Sequence, residues 1–447
     1  MTSIAWFRRD LRVEDNPAWS AACAEGPVVA VFVLEPSLLH SAGPHRRSML
    51  LGAVAALGED LRRLGGALQV VAGPASEAIP ALVEATGADS VHFNADPSPF
   101  ALRRDADVAA ALGDRAVRHW GNSVHAPGTV LTQKGTLSQV FTPFSKRWFA
   151  TPVEPVAEAD PTFADVSIPT TETPAPDVEI DTGTDAAHRR LAAFVDVVDD
   201  YPDLRDIPSV TGTSQLSADL HMGTIGPRTV MDVVGTHSPG REAFVRQLAW
   251  RDWYTHLLVE TPTMLDAALR PQYDAIEWRI DDEQFEAWRT GTTGYPLVDA
   301  GMRQLLETGW MHNRVRMVTA SFLVKHLLID WRLGERWFRR QLIDGDVAQN
   351  AGNWQWVAGT GPDAAPYFRV FNPIAQSQKF DGDGSYIRRW VPELAGLDDK
   401  TIHTPWEAGP LDLAAAGVVL GDTYPAPIVD HPAARERCLA TYKAALG

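Results

Sequence analysis

Five short runs rich in Val, Ile and aromatic residues, SIAWF, PVVAVFVL, ALQVV, DSVHF and AVRHW, recur through residues 1–125, with room for a helix in each gap. The segment RRSMLLGAVAALGEDLRRLG, between the second and third runs, carries apolar residues at helical spacing. This alternation predicts a parallel, doubly wound α/β sheet, because parallel strands need long crossovers and those crossovers cover both faces of the sheet. No GxGxxG follows the first run, so the fold by itself does not call for a dinucleotide.

The pattern dissolves over residues 126–186, where TPVEPVAEADPTFADVSIPTTETPAPDVEIDTGTD is rich in Pro, Thr and acids, and this stretch reads as a long connector. One part of it, VFTPFSKRW, is apolar enough to pack on a domain. From residue 187 to 447 the apolar spacing turns helical, as in REAFVRQLAWRDWYTHLLVE and VRMVTASFLVKHLLIDW, which predicts an all-helical second domain. A chain of 447 residues with 45% hydrophobic content has material for two such cores. Eleven of the fifteen tryptophans fall in the helical part, where an indole serves either packing or one-electron chemistry.

Cys23 and Cys438 are too few and too far apart for a disulfide framework, no run of eighteen apolar residues occurs, and the N-terminus lacks a signal peptide's apolar core. A cytoplasmic monomer with no membrane partner and no metal is expected. The net charge of −17 excludes a protein that coats nucleic acid with its whole surface. A local patch is a different matter: Arg332, Arg336, Arg339, Arg340, Arg369, Lys379, Arg388 and Arg389 concentrate late in the chain, as solvated helix faces or as a binding surface.

Three constellations stand out. Tyr201 and the run GTSQLS precede a helical segment, so Thr213, Ser214 and Ser217 offer hydroxyls beside helix-start amides, either as an N-cap or as a cradle for phosphate. Asn313, Arg316 and Met317 share a helix face, with Asp344 downstream as a partner for Arg316, in a structural pair or a ligand site. Asp346, Asn350 and Trp354 stand at i, i+4 and i+8, stacking an acid, an amide and an indole on one face, while Trp356 points to nearly the opposite side.

These residues sit among ordered motifs, WFRRDLRVEDNP, GTSxLS, WRDWY, TGYPLVDAGMRQL, GWMHNRVRM, LIDGDVAQNAGNWQW, DAAPYFRVFNP and YIRRWVPEL, and across essentially its whole length the chain resembles the cryptochrome/photolyase family, in particular class I cyclobutane pyrimidine dimer photolyases. The resemblance implies an N-terminal antenna domain and a C-terminal helical domain that binds FAD. It implies that Tyr201, Thr213, Ser214, Gln215, Leu216 and Ser217 hold the phosphate side, and that Asn313, Arg316, Asp344, Gly345, Asp346 and Asn350 line the rest, with Asn350 beside the redox-active ring nitrogen. Trp354, Trp331 and Trp278 would relay electrons from the surface to oxidised flavin in light. Arg205, Gln247, Trp250, Arg251, Arg314, Met317, Trp356, Arg369 and Gln376 would face DNA. The implied activity is that of a lyase: excited, reduced FAD passes an electron to a flipped-out dimer, the ring splits and the electron returns.

Two alternatives accompany that reading. Repair of (6-4) photoproducts would need proton-donating histidines where this chain has Asn313 and Met317. Signalling cryptochromes commonly replace the Asn beside the flavin, whereas Asn350 is retained. Two positions depart from the family pattern: Gln247 stands where a Glu usually contacts the dimer, and Gln215 replaces an Arg in the phosphate loop. A second, light-harvesting chromophore, a deazaflavin or methenyltetrahydrofolate, would fall near NADPSPFALRRD at residues 94–105, where no decisive folate pattern is legible.

Overall fold

The computed structural model describes residues 1–446. The chain forms two compact units. The first comprises Met1–Asp199, Ser214–Pro262 and Ile343–Gln349, and the second Asp200–Thr213, Thr263–Leu342 and Asn350–Gly447.

Within the first unit the five predicted runs become β1 (Ser3–Phe7), β2 (Val28–Leu34), β3 (Leu68–Ala72), β4 (Ser90–Asn94) and β5 (Ala116–His119). All pair in parallel in the order β3-β2-β1-β4-β5. Every residue of β1, β2 and β4 is buried, as strands covered on both faces require. Alternate side chains feed two separate cores: Ala5, Phe7, Ala30 and Phe32 on one face, Ile4, Trp6, Val29 and Val31 on the other. Pro17–Glu25 starts on Asn16, whose side chain accepts from the Trp19 amide, and Pro99–Leu112 starts on Ser98 in the same manner. The chain reverses its strand order between β1 and β4, so the carboxyl ends of these two strands open the crevice where α/β sheets commonly hold ligands.

The connector is firmly laid down. Phe141–Ala150 is a helix whose Phe144 packs on Trp253 and His256, and the Trp148 indole donates to Asp252 Oδ2 at 2.8 Å. Beyond it the chain joins the sheet by backbone bonds, Val28 N to Thr162 O at 2.7 Å, Ala164 N to Val28 O at 3.0 Å and Thr171 N to Val70 O at 2.7 Å, and by side chains, with Phe163 packed on one core and Val166 and Ile168 on the other. The Phe163 ring lies over Gly66, where a β-carbon would sit 2.2 Å from it.

The second unit is helical; among its described residues the only β pairings are the single-residue bridges Arg279↔Ile329 and Leu420↔Tyr424. Its core gathers Trp288, Leu297, Met311, Phe322, Trp331, Phe338, Trp354, Tyr386 and Trp390. No helix of the described residues is long and apolar enough to cross a membrane.

Candidate active site

In the first unit, Gln247, Trp250 and Arg251 lie on the helix Pro239–Glu260, which Ser238 caps by accepting from the Arg241 amide. Trp250 stacks face to face on Phe141, with ring centroids 3.6 Å apart and planes 13° apart, and Arg246 covers Phe141 at 5.5 Å. Gln247 turns its Nε2 back to the Ala243 carbonyl at 3.1 Å. Arg251 donates to the carbonyls of Leu220, at 3.0 Å, and Asn122, so a DNA contact from this side chain would require exchanging those bonds.

The loop before Ser217–Met222 holds Gln215 at φ +53°, a left-handed conformation uncommon for a residue with a β-carbon. No side chain caps that helix. Asp219, the acid nearest its start, is taken up by Arg190 at 2.7 and 2.9 Å and by the Thr224 hydroxyl at 2.9 Å. The half-buried Ser214 and exposed Ser217 hydroxyls therefore stand beside uncapped amides with the local negative charge paired, which suits a phosphate.

Asp346 has a different environment from the one its helical spacing suggested. Its carboxylate pairs with Arg9, accepts from the Gln349 amide at 3.0 Å, and lies 3.8 Å from His221 Nδ1. Burial pushes this carboxyl up, but Arg9, His221 and Arg251 together outweigh it and hold the group well below the usual carboxylate range. Arg9 also binds Asp96 at 2.9 Å. These charges close the crevice at the ends of β1 and β4, where the cavity lined by Arg9, Asp96, Asn122, Arg251 and Asp346 is about 20 Å³, room for one water. Nearby, Asn94 donates to Asp10 and Asn16, and the Arg8 guanidinium lies 4.8 Å from both the Trp6 and Phe93 rings.

In the second unit, His312 caps the helix Asn313–Ser321 by accepting from the Arg314 amide at 3.2 Å. Asn313 is exposed and its amide reaches Met317 Sδ at 3.8 Å; Arg316 Nε donates to the Met311 carbonyl at 2.7 Å. Tyr201 is buried under the Arg205 guanidinium, 5.1 Å from its ring. Arg369 is exposed, and the Gln376 side-chain oxygen is buried without a partner.

Asn350 and Trp354 lie on Val347–Ala358. The orientation of this helix is set by Gln355, whose amide bonds the backbone of Met264, Ala267 and Leu269. Trp354 meets Phe338 edge-on at 5.0 Å and Trp288 at 6.1 Å, Trp331 lies beneath the Arg332 guanidinium at 4.8 Å, and half-buried Trp278 meets Tyr442 at 6.2 Å. Gly334 makes room for Trp354, because a β-carbon there would come within 2.2 Å of the indole.

Sequence reasoning missed Glu335. This buried acid receives Asn350 Nδ2 at both its carbonyl, 2.8 Å, and its Oε1, 2.9 Å. Burial pushes its carboxyl up against the pull of Arg339 and of the Asn350 bond. The signal was available in WRLGE, where Glu335 follows Trp331 by one helical turn. With Nδ2 committed to Glu335, Asn350 has its Oδ1 to offer a ligand, an acceptor that suits the ring N–H of a reduced flavin.

A family model described as DNA photolyase matches residues 3–162, and one described as FAD binding domain of DNA photolyase matches residues 244–444. The deoxyribodipyrimidine photo-lyase of Agrobacterium fabrum is 43% identical over 471 residues, covering 99% of this chain and 97% of the relative. The chain belongs to the DNA photolyase family. The Escherichia coli deoxyribodipyrimidine photo-lyase is 38% identical, with 99% of each chain covered. Among solved structures, a class III photolyase from Agrobacterium tumefaciens matches with a TM-score of 0.92 at 42% identity, covering 99% of this chain and 97% of that one. A Synechocystis cryptochrome matches with 0.92 at 31%, covering 98% and 99%. An archaeal photolyase from Sulfolobus tokodaii, solved with two FAD molecules, matches with 0.86 at 32%, covering 99% and 100%. The α/β sheet followed by a helical, FAD-binding part is thus the architecture of photolyases and cryptochromes.

Proposed function

We propose that this photolyase repairs cyclobutane pyrimidine dimers in DNA as a light-driven deoxyribodipyrimidine photo-lyase. Full-length identity to enzymes of that name supports the reading, and the observation that carries it is the Asn350–Glu335 pair, which commits Asn350 Nδ2 and reserves an acceptor for reduced FAD. When bound, reduced FAD supplies the excited electron that opens the cyclobutane ring and takes it back, with no net redox change.

The chain's own residues bind, orient and exclude water. Tyr201 and Thr213–Ser217, including Gln215 and Leu216, would hold the phosphates; Asn313, Arg316, Asp344, Gly345, Asp346 and Asn350 would hold the rest. Asp346, kept ionised by Arg9, caps the first turn of the helix that follows it through the Gln349 amide. Trp278, Trp331 and Trp354 would carry the electrons that reduce oxidised flavin. Arg205, Gln247, Trp250, Arg314, Met317, Trp356, Arg369 and Gln376 would receive a flipped dimer, with Trp250 presenting the face opposite Phe141. The functional division of this reading is residues 1–125 as antenna-type domain, 126–186 as connector and 187–447 as FAD-binding domain. The protein acts as a cytoplasmic monomer.

FAD is the one cofactor the reading requires. A second chromophore near residues 94–105 would have to displace the paired charges around Arg9 and Asp96. Repair of (6-4) lesions is disfavoured because Asn313 and Met317 offer no proton donor at neutral pH. A photoreceptor role is not favoured, since the lyase-named relatives match at up to 43% identity and the cryptochrome structure at 31%.

The deciding experiment illuminates the purified, reduced protein with oligonucleotides bearing one defined cyclobutane dimer or one (6-4) lesion. Restoration of the first alone is expected. Failure to restore either lesion would overturn the proposal in favour of a photoreceptor.

A further inference from the structure

Arg314 is already occupied. Its Nη2 and Nε bind the two carboxylate oxygens of Asp206 at 2.8 and 3.3 Å, a fork-to-fork pairing with the geometry a guanidinium adopts toward phosphate. Its flat face lies over Phe380, 4.3 Å from the ring centroid. The same ring carries Lys379 at 5.1 Å, and Arg205 adjoins Asp206 in the chain. Two cations thus share the Phe380 ring, and Asp206 takes the side-on edge of Arg314: the Arg314 side chain keeps 17% of its exposure, the Asp206 side chain 31%.

From this geometry we infer that Asp206 is a built-in stand-in for a DNA phosphate, which the incoming backbone must displace from Arg314. The inference rests on the reading of Arg314 as a DNA contact. Asp206 occupies the side-on Nε/Nη2 edge of the guanidinium, so a phosphate docking on that edge competes with the carboxylate, and the free protein keeps its guanidinium paired and aimed until DNA arrives. Phe380 holds the arginine in place through the exchange by stacking, which does not depend on which anion occupies the edge.

The test measures dark binding of the FAD-loaded protein to a fluorescent duplex containing one cyclobutane dimer. Asp206→Asn keeps the shape and removes the competitor, and should tighten binding by about twofold to fivefold, the scale of one partly exposed ion pair. Asp206→Ser should act in the same direction, and retained flavin absorbance confirms that each variant is folded. Asp203→Asn, which removes an exposed charge on the same turn, should change little. In an Arg314→Gln background the gain from Asp206→Asn should vanish. No tightening, weaker binding, or an equal gain with and without Arg314 would overturn the inference. If Arg314→Gln alone leaves dimer binding unchanged, the reading of Arg314 itself fails, an outcome distinct from the others.

Discussion

Asn350 Nδ2 donates to Glu335 at both its carbonyl oxygen, 2.8 Å, and its Oε1, 2.9 Å, across fifteen residues of chain. The residue read as the flavin's neighbour is therefore oriented by an acid on the helix that also carries Trp331. Because burial raises the Glu335 carboxyl, the fold binds a proton there more readily than the unfolded chain. That contribution to stability is fully present below the ordinary value of 4.5 and is lost as pH rises through the folded value. Glu335→Gln should flatten this decline, read by urea unfolding at several pH values. Glu335→Ala should cost ~1–3 kcal/mol by leaving the Asn350 amide short of a partner.

Lys325 gives a stability prediction of opposite slope. It is 1% exposed, donates to the Ala358 carbonyl at 2.8 Å and sits 3.7 Å from the centre of the Tyr442 ring. Burial lowers it from 10.5 to about 8, so between those values the unfolded chain binds more protons and stability rises with pH. That lowering corresponds to a net cost of roughly 3 kcal/mol for keeping the ammonium charged at pH 7. Lys325→Met should raise the melting temperature at pH 7 and remove the slope between pH 8 and 10.5; an unchanged slope would reassign it to another group.

The aromatic neighbours of Trp354 separate two routes for an electron. Trp288 is 0% exposed, donates to the Thr319 carbonyl, and otherwise meets Phe285 and Phe338, whose phenyl rings do not pass a positive hole onward. Trp331→Phe should slow photoreduction of oxidised FAD under blue light while sparing repair by already reduced protein. Trp288→Phe should leave the photoreduction rate unchanged. Equal rates for Trp331→Phe and the parent chain would remove Trp331 from the relay.

Gln247 donates into its own helix at Ala243, a bond that a carboxylate cannot make. Gln247→Glu should free this side chain for the dimer and raise the repair yield per absorbed photon, measured on a defined dimer at fixed flavin content. An unchanged yield would show that the Glu common at this position is dispensable here.

Gly334→Ala would place a methyl group within 2.2 Å of the Trp354 indole and 2.6 Å of Leu323. Overpacking of this kind costs ~1–3 kcal/mol. The variant should melt earlier and lose FAD during gel filtration, whereas Gly417→Ala, on an exposed turn at positive φ, should lose stability without losing flavin.

Much of the architecture was legible because it is local or periodic. All five strands fall on the runs that predicted them, most plainly β2, whose seven residues are apolar and buried throughout because both faces of that strand are covered. The change to helical spacing was equally plain. The connector beyond residue 150 was not: it looked like free chain, yet Val28 and Val70 hold it by backbone bonds, which leave no signature in side-chain composition. The partners that shape the site escaped for a related reason. Arg9 and Asp346 are 337 residues apart, and Asp206 and Arg314 are 108 apart, and no periodicity encodes such pairings. Glu335 is the exception, one turn from a tryptophan already singled out.

The carbonyl of Ala358, at the end of the helix carrying Asn350 and Trp354, accepts from both Lys325 and the Tyr442 hydroxyl. Tyr442 lies 84 residues later in the chain. On the ribosome, Val347–Ala358 therefore emerges well before its second anchor has been made, and its final turn is secured only once the helix His431–Leu446 has docked. Maturation of the cofactor-binding unit accordingly waits on a segment made 84 residues after the helix it clasps.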